Sequence, residues 1–337
     1  MGRYDGVLSE AREAIRVKPD SSAAYAILAE GNIALNRFDE ADIVCKQAAA
    51  RKLYNLFSPL YLYQVAFLHN NAARMKQQVT LSAGQLGIES MLLANEADTA
   101  AYSGRLREAE GFTRQAMESA ERAGEREVAA SFFATSGLRE ALYGKVDEAR
   151  RRAARAMEHS AGVDVQYASA LAWAYAGETE HAQSLAERLD KRFPEATIVQ
   201  FNYLPTVRAK VALDRGDASE ATQILRAAAP YELGRTTFSN YVWNGLYPVF
   251  VRGEAYLAAH QGSNAAVEFQ KILDHRGIVW NSPIGALARL QLGRAYAMQG
   301  EGARARAAYQ DFLTLWKNAD PDIPILRQAK AEYAKLH

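Results

Sequence analysis

The residues best suited to metal ligation or nucleophilic chemistry are six histidines (His69, His159, His181, His260, His275 and His337) and a single cysteine, Cys45. No two of the histidines stand at metal-ligand spacing, and one cysteine makes neither a disulfide nor a thiolate framework. Asp274-His275-Arg276 has the composition of a site, yet it falls at the end of a helical pattern, where the helix dipole favours a cation. Tyr143-Gly144-Lys145 has the Gly-Lys pair of a phosphate loop without its upstream glycine, and it falls at a turn. The acidic pairs Glu108/Glu110 and Asp147/Glu148 sit among basic residues and read as solvated helix faces. Gly-x-Ser-x-Gly, His-Glu-x-x-His and Walker patterns are absent. Without a nucleophile–base constellation the chain reads as a non-enzyme, with no cofactor and no metal.

Recognition chemistry is what remains, and a repeat must position it. A small residue recurs at Ala41, Ala109, Ala149, Ala182, Ala221, Ala265 and Ala305, each in a short Ala-rich helix that follows a Gly or Asn. Ala41 and Ala109 are 68 residues apart, with Met75 at the midpoint and Val79 four later, so a degenerate copy fills that gap. The clearest copies are Gly293-Arg-Ala-Tyr296 with Ala305, Tyr309 and Phe312, and Gly253-Glu-Ala-Tyr256 with Ala265, Phe269 and Ile272. Two antiparallel helices approach closely only where one side chain is small, and an aromatic from the partner fills the space above it. The pattern resembles the tetratricopeptide repeat (TPR), whose period is about 34 residues. It predicts an all-α, right-handed superhelical solenoid of antiparallel helix pairs, closed by a C-terminal capping helix.

The expected division is one array over 1–337, with a half repeat at 2–19 and repeats at about 22–55, 56–88, 90–124, 127–160, 163–195, 197–230, 246–276 and 282–318. A cap helix follows at about 324–336, with Ile325, Ala329, Tyr333 and Leu336 on one face. The half repeat would leave an apolar face unpaired, which suggests a fragment of a longer product.

Composition narrows the function class. The 337 residues are 49% hydrophobic and 23% charged, which excludes a disordered chain. Forty basic residues nearly cancel 39 acidic ones, leaving +1 and no sign of a nucleic-acid partner. The stretch Leu53–Ala73 lacks formal charge but holds Pro59, Gln64, His69, Asn70 and Asn71, too polar for a membrane span. The early charges (Arg3, Asp5, Glu10, Arg12, Glu13) do not read as a secretory signal, and a cytoplasmic location is expected unless a membrane segment precedes the repeats.

In a TPR array the first helix of each pair lines a concave groove. By register the outward positions are Glu30, Gln64, Asp98, Tyr102, Tyr167, Tyr175, Tyr203, Lys210, Asp214, Glu254 and Arg294. Tyrosine anchors a partner with large area at small entropic cost, but the same tyrosines also suit gaps between repeats. No Lys/Arg cluster suggests a clamp for a C-terminal carboxylate, so an extended or helical polypeptide segment is the expected partner. The long connection 231–247 is a second candidate through Tyr231, Phe238, Tyr241 and Trp243, and Trp280 on the next loop joins it. It either packs onto the repeats or closes as a lid over a small molecule.

Several stretches are narrower in kind: 96–106, Ala229-Pro-Tyr-Glu-Leu-Gly234, 269–277 and 307–326. They resemble the C-terminal TPR region of bacterial serine/threonine protein kinases and winged-helix regulators, where the repeats follow a catalytic or DNA-binding domain. The resemblance implies a docking or sensing module of a signalling protein. It carries no kinase activity here, since the Gly-rich loop, His-Arg-Asp and Asp-Phe-Gly are absent.

Overall fold

A computed structural model describes residues 2–53, 58–234 and 246–336. Among these residues the chain is all-α, built of consecutive antiparallel helix pairs with no strand. A leading helix, α1 (Tyr4–Val17), precedes the pairs α2 (Ser22–Ala34)/α3 (Phe38–Ala50), α4 (Ser58–Leu68)/α5 (Ala72–Ser82) and α6 (Ile88–Tyr102)/α7 (Leu106–Arg122). Next come α8 (Arg126–Leu142)/α9 (Val146–His159), α10 (Val163–Tyr175)/α11 (Thr179–Arg192) and α12 (Leu204–Asp214)/α13 (Ala218–Leu225). Then follow α14 (Tyr247–Ala258)/α15 (Gly262–Asp274), a short α16 (Arg276–Val279), α17 (Pro283–Met298)/α18 (Gly302–Leu315) and the cap α19 (Pro324–Ala334).

The small-residue rule explains how each pair closes. All seven recurring alanines, from Ala41 to Ala305, are fully enclosed at 0% exposure. Where the crossing is tightest even a methyl group fails: a Cβ on Gly253 would stand 2.6 Å from the Phe269 ring. Most first helices are buried nearly all round, as in α8, whereas α9 encloses only Ala149, Ala153 and Ala156. First helices therefore form the inside of the solenoid and second helices its amphipathic outside.

The solenoid coils back onto itself, a feature the periodic reading did not anticipate. Hairpin turns of the early pairs meet loops of the late ones. Tyr4 Oη donates to the Leu233 carbonyl at 2.7 Å, and Asn36 Nδ2 donates to the Asp274 carbonyl at 2.7 Å. Further along, Trp316 Nε1 donates to the Tyr102 carbonyl at 3.0 Å, and Lys145 pairs with Asp322 at 2.9 Å. Gly277 sits so close that a Cβ would meet the Ile33 carbonyl oxygen at 1.6 Å. The apolar face of α1 is accordingly not left unpaired: Tyr4, Leu8 and Ala11 are buried against α2 and the Leu233 segment.

A buried charge cluster pins the chain after α13. Arg252 Nη2 donates to Glu232 Oε2 at 2.9 Å and to Glu268 Oε2 at 2.6 Å, while Lys271 Nζ reaches Glu232 Oε1 at 2.7 Å. Burial is tolerable there because each charge is matched and hydrogen-bonded.

Candidate inner-face recognition site

Four successive first helices, α10, α12, α14 and α17, bring Tyr175, Lys210, Glu254 and Arg294 into one half-buried row. Tyr175 Oη donates to Glu254 Oε2 at 2.6 Å, and Lys210 Nζ lies 4.8 Å from the centre of the Tyr175 ring. Lys210 also pairs with Asp214 one turn along α12. Burial pushes the Glu254 carboxyl up, against the pull of Lys210, the Tyr175 hydroxyl and Arg294. Tyr175 is pushed up in turn, first by burial and then by the facing Glu254. Five of the eleven positions picked out by register thus share one electrostatic environment. Glu332 of the cap helix extends the row, and periodicity gave no signal for it. It accepts two 2.9 Å bonds from Arg294 and one of 2.8 Å from Tyr309 Oη.

The other six positions have different fates. Tyr167 and Tyr203 are each 1% exposed and stack face to face, 3.8 Å between centroids and 4° between planes. Tyr203 Oη donates to Asp164 Oδ1 at 2.8 Å. This pair fills the gap between two repeats, which corrects its placement on the groove surface. Gln64 is also corrected: it is 2% exposed, and neither of its amide atoms has a hydrogen-bond partner among the described residues. Asp98 accepts from Arg139 Nη1 at 2.8 Å, and burial raises its carboxyl despite that charge. Glu30 accepts from Tyr61 Oη at 2.9 Å. Tyr102 belongs to the seam between early and late repeats, edge-on to Phe67 at 5.3 Å and bonded by Arg289 Nη1 at 2.9 Å.

Of the loop candidates, Phe238, Tyr241 and Trp243 lie outside the described residues. Tyr231 stacks on Phe201 at 4.6 Å. Trp280 is buried at 8% exposure in the cluster formed by Leu8, Tyr25, Ile33, Tyr61 and Val65, so it plugs the early repeats. Its backbone is in the left-handed region, φ 49°, a strained setting for a bulky side chain.

The row presents hydrogen-bonding and charged groups from four helices. Among the described residues no group of three His, Cys, Asp or Glu is placed to hold a metal, and no helix is long and apolar enough to cross a membrane. His275 Nδ1 lies 2.7 Å from the Lys271 carbonyl, and Cys45 is buried.

No family model matches the chain, and no curated protein matches it in sequence. Solved structures with a related outline include yeast Tom70, 13% identical over 99% of this chain and 85% of that one, with a TM-score of 0.44. A tetratricopeptide repeat protein from Parabacteroides merdae is 14% identical over 87% of this chain and 98% of that one, TM-score 0.42. The TPR domain of P58(IPK) is 16% identical over 99% and 94%, TM-score 0.29.

Proposed function

We propose that the chain is a non-catalytic protein–protein interaction scaffold that lays a polypeptide segment along the row Tyr175, Lys210, Asp214, Glu254 and Arg294. The supporting observation is the convergence on Glu254 of a tyrosine, two cations and a second carboxylate from consecutive repeats. An alternating row of acid, base and aromatic edge suits the backbone amides and mixed side chains of an extended or helical segment. Repetition from helix to helix lets a segment gain contacts in proportion to its length.

The narrower reading is a docking or regulatory module of a bacterial signalling protein, working in the cytoplasm. It rests on the resemblance of 96–106, 229–234, 269–277 and 307–326 to the TPR regions of serine/threonine kinases and winged-helix regulators.

A phage-displayed peptide library selected on the wild-type chain tests the site. Peptides that bind should lose about tenfold in affinity on Glu254→Gln and on Lys210→Ala, the effect of deleting one charged hydrogen bond. Selected peptides that bind both variants as tightly as wild type would place docking elsewhere, and a library with no binders would contradict the scaffold reading itself.

A further inference from the structure

A cavity of about 320 Å³ lies in the seam where the early repeats meet the late ones, at the lower end of the range for small-molecule sites. One wall comes from α4 and α6, with Phe67, Thr99 and Tyr102; the other comes from α16 and α17, with Arg276 and Arg289. Arg105 also lines it, but that guanidinium already pairs with Glu108 at 2.6 Å. Arg276 and Arg289 have no carboxylate partner among the described residues, and no Asp or Glu lines the cavity. The whole chain carries 40 basic and 39 acidic residues, so this excess of positive charge is local and not a sample of the average.

Their donors are only partly used. Arg276 spends Nη2 on the Leu68 carbonyl at 2.8 Å. Arg289 uses Nη1 alone, toward Tyr102 Oη at 2.9 Å and the Gly285 carbonyl at 2.6 Å. Nε and Nη2 of Arg289 meet no acceptor among the described residues. A planar guanidinium with spare donors is the side chain that recognises carboxylate and phosphate in two-pronged fashion. The remaining lining sets the aromatic rings of Phe67, Tyr102 and Trp280 beside the polar Asn70, Thr99 and Ser103.

We propose that this seam cavity binds a small amphiphilic anion, a carboxylate or phosphate head held by Arg276 and Arg289 with an aromatic body against Phe67 and Tyr102. The inference stands apart from the polypeptide row around Glu254. An occupant that touches both walls binds only the coiled-back form, so it holds the early and late repeats together by its differential affinity.

Phenyl phosphate and benzoate are the probes, with inorganic phosphate and benzyl alcohol as head-only and body-only controls, read by calorimetric titration and melting temperature. Phenyl phosphate or benzoate should bind and raise the melting temperature, and each should exceed both controls. Arg276→Gln and Arg289→Gln should weaken binding about tenfold, and Arg289→Lys should recover part of it. Arg276 is exposed and gives up a single cross-seam hydrogen bond, to the Leu68 carbonyl, so its replacement is the milder test of the two. Binding should also slow amide exchange at 276–289 and 99–105 together. The proposal is overturned if neither aromatic anion binds at millimolar concentration, if benzyl alcohol binds as well, or if Arg276→Gln binds unchanged.

Discussion

Cys45 shows how enclosure sets reactivity at a single residue. It is 9% exposed on α3, and burial, helped by Asp42 and opposed by Arg74, pushes its thiol up to about 12. An unfolded thiol ionises near pH ~8.5. The folded thiol keeps its proton over that interval while the unfolded chain gives its own up. Its contribution to stability is therefore complete below about pH 8.5 and declines by about 1.4 kcal/mol per pH unit above it. Cys45→Ala should flatten this alkaline loss in denaturant titrations, and native protein should resist iodoacetamide at pH ~8. Rapid native alkylation would show the hairpin opening locally. Gln64 makes the converse case: it is enclosed without a partner among the described residues, and such an amide costs about 1–3 kcal/mol. Gln64→Met should raise stability by about 1 kcal/mol in urea unfolding, and a comparable loss would mean that the amide is held by a partner.

At the scale of helices and turns, most of the architecture was legible because it is periodic. The turns between paired helices need a left-handed residue, and Asn36 (φ 58°) through Gly300 (φ 74°) supply it. The turn after α14 breaks the rule by using His260, exposed and at φ 56°. Left-handed backbone costs a residue with a Cβ about 1 kcal/mol, so His260→Gly should raise stability by up to about 1 kcal/mol in thermal unfolding. A drop of that size would assign the imidazole a structural contact. Register alone could not sort the first-helix positions, because a side chain facing the groove and one facing the next repeat recur at the same three-to-four spacing. Tyr175 reached the shared row, whereas Tyr167 and Tyr203 closed on each other. Glu332 was invisible for another reason: it belongs to a cap helix outside the repeat.

At the scale of the whole molecule, the seam was illegible because contacts between residues some two hundred positions apart leave no periodic trace. Tyr4–Leu233, Asn36–Asp274 and Trp316–Tyr102 are of this kind, and Trp280 is their apolar counterpart. Trp280→Ala should cost about 3–5 kcal/mol, the usual loss for a large buried ring, with some offset from relief at its strained backbone. Solution scattering should then show a larger radius of gyration as early and late repeats part; an unchanged radius would make the coiling independent of this plug. Docking is proposed for the inside of the same coil. Amide hydrogen exchange of the chain with a selected peptide reads this docking helix by helix. Exchange should slow on the inner helices α10, α12, α14 and α17, around Tyr175, Lys210, Glu254 and Arg294. Protection confined to the outer helices α7, α9 and α11 would contradict it.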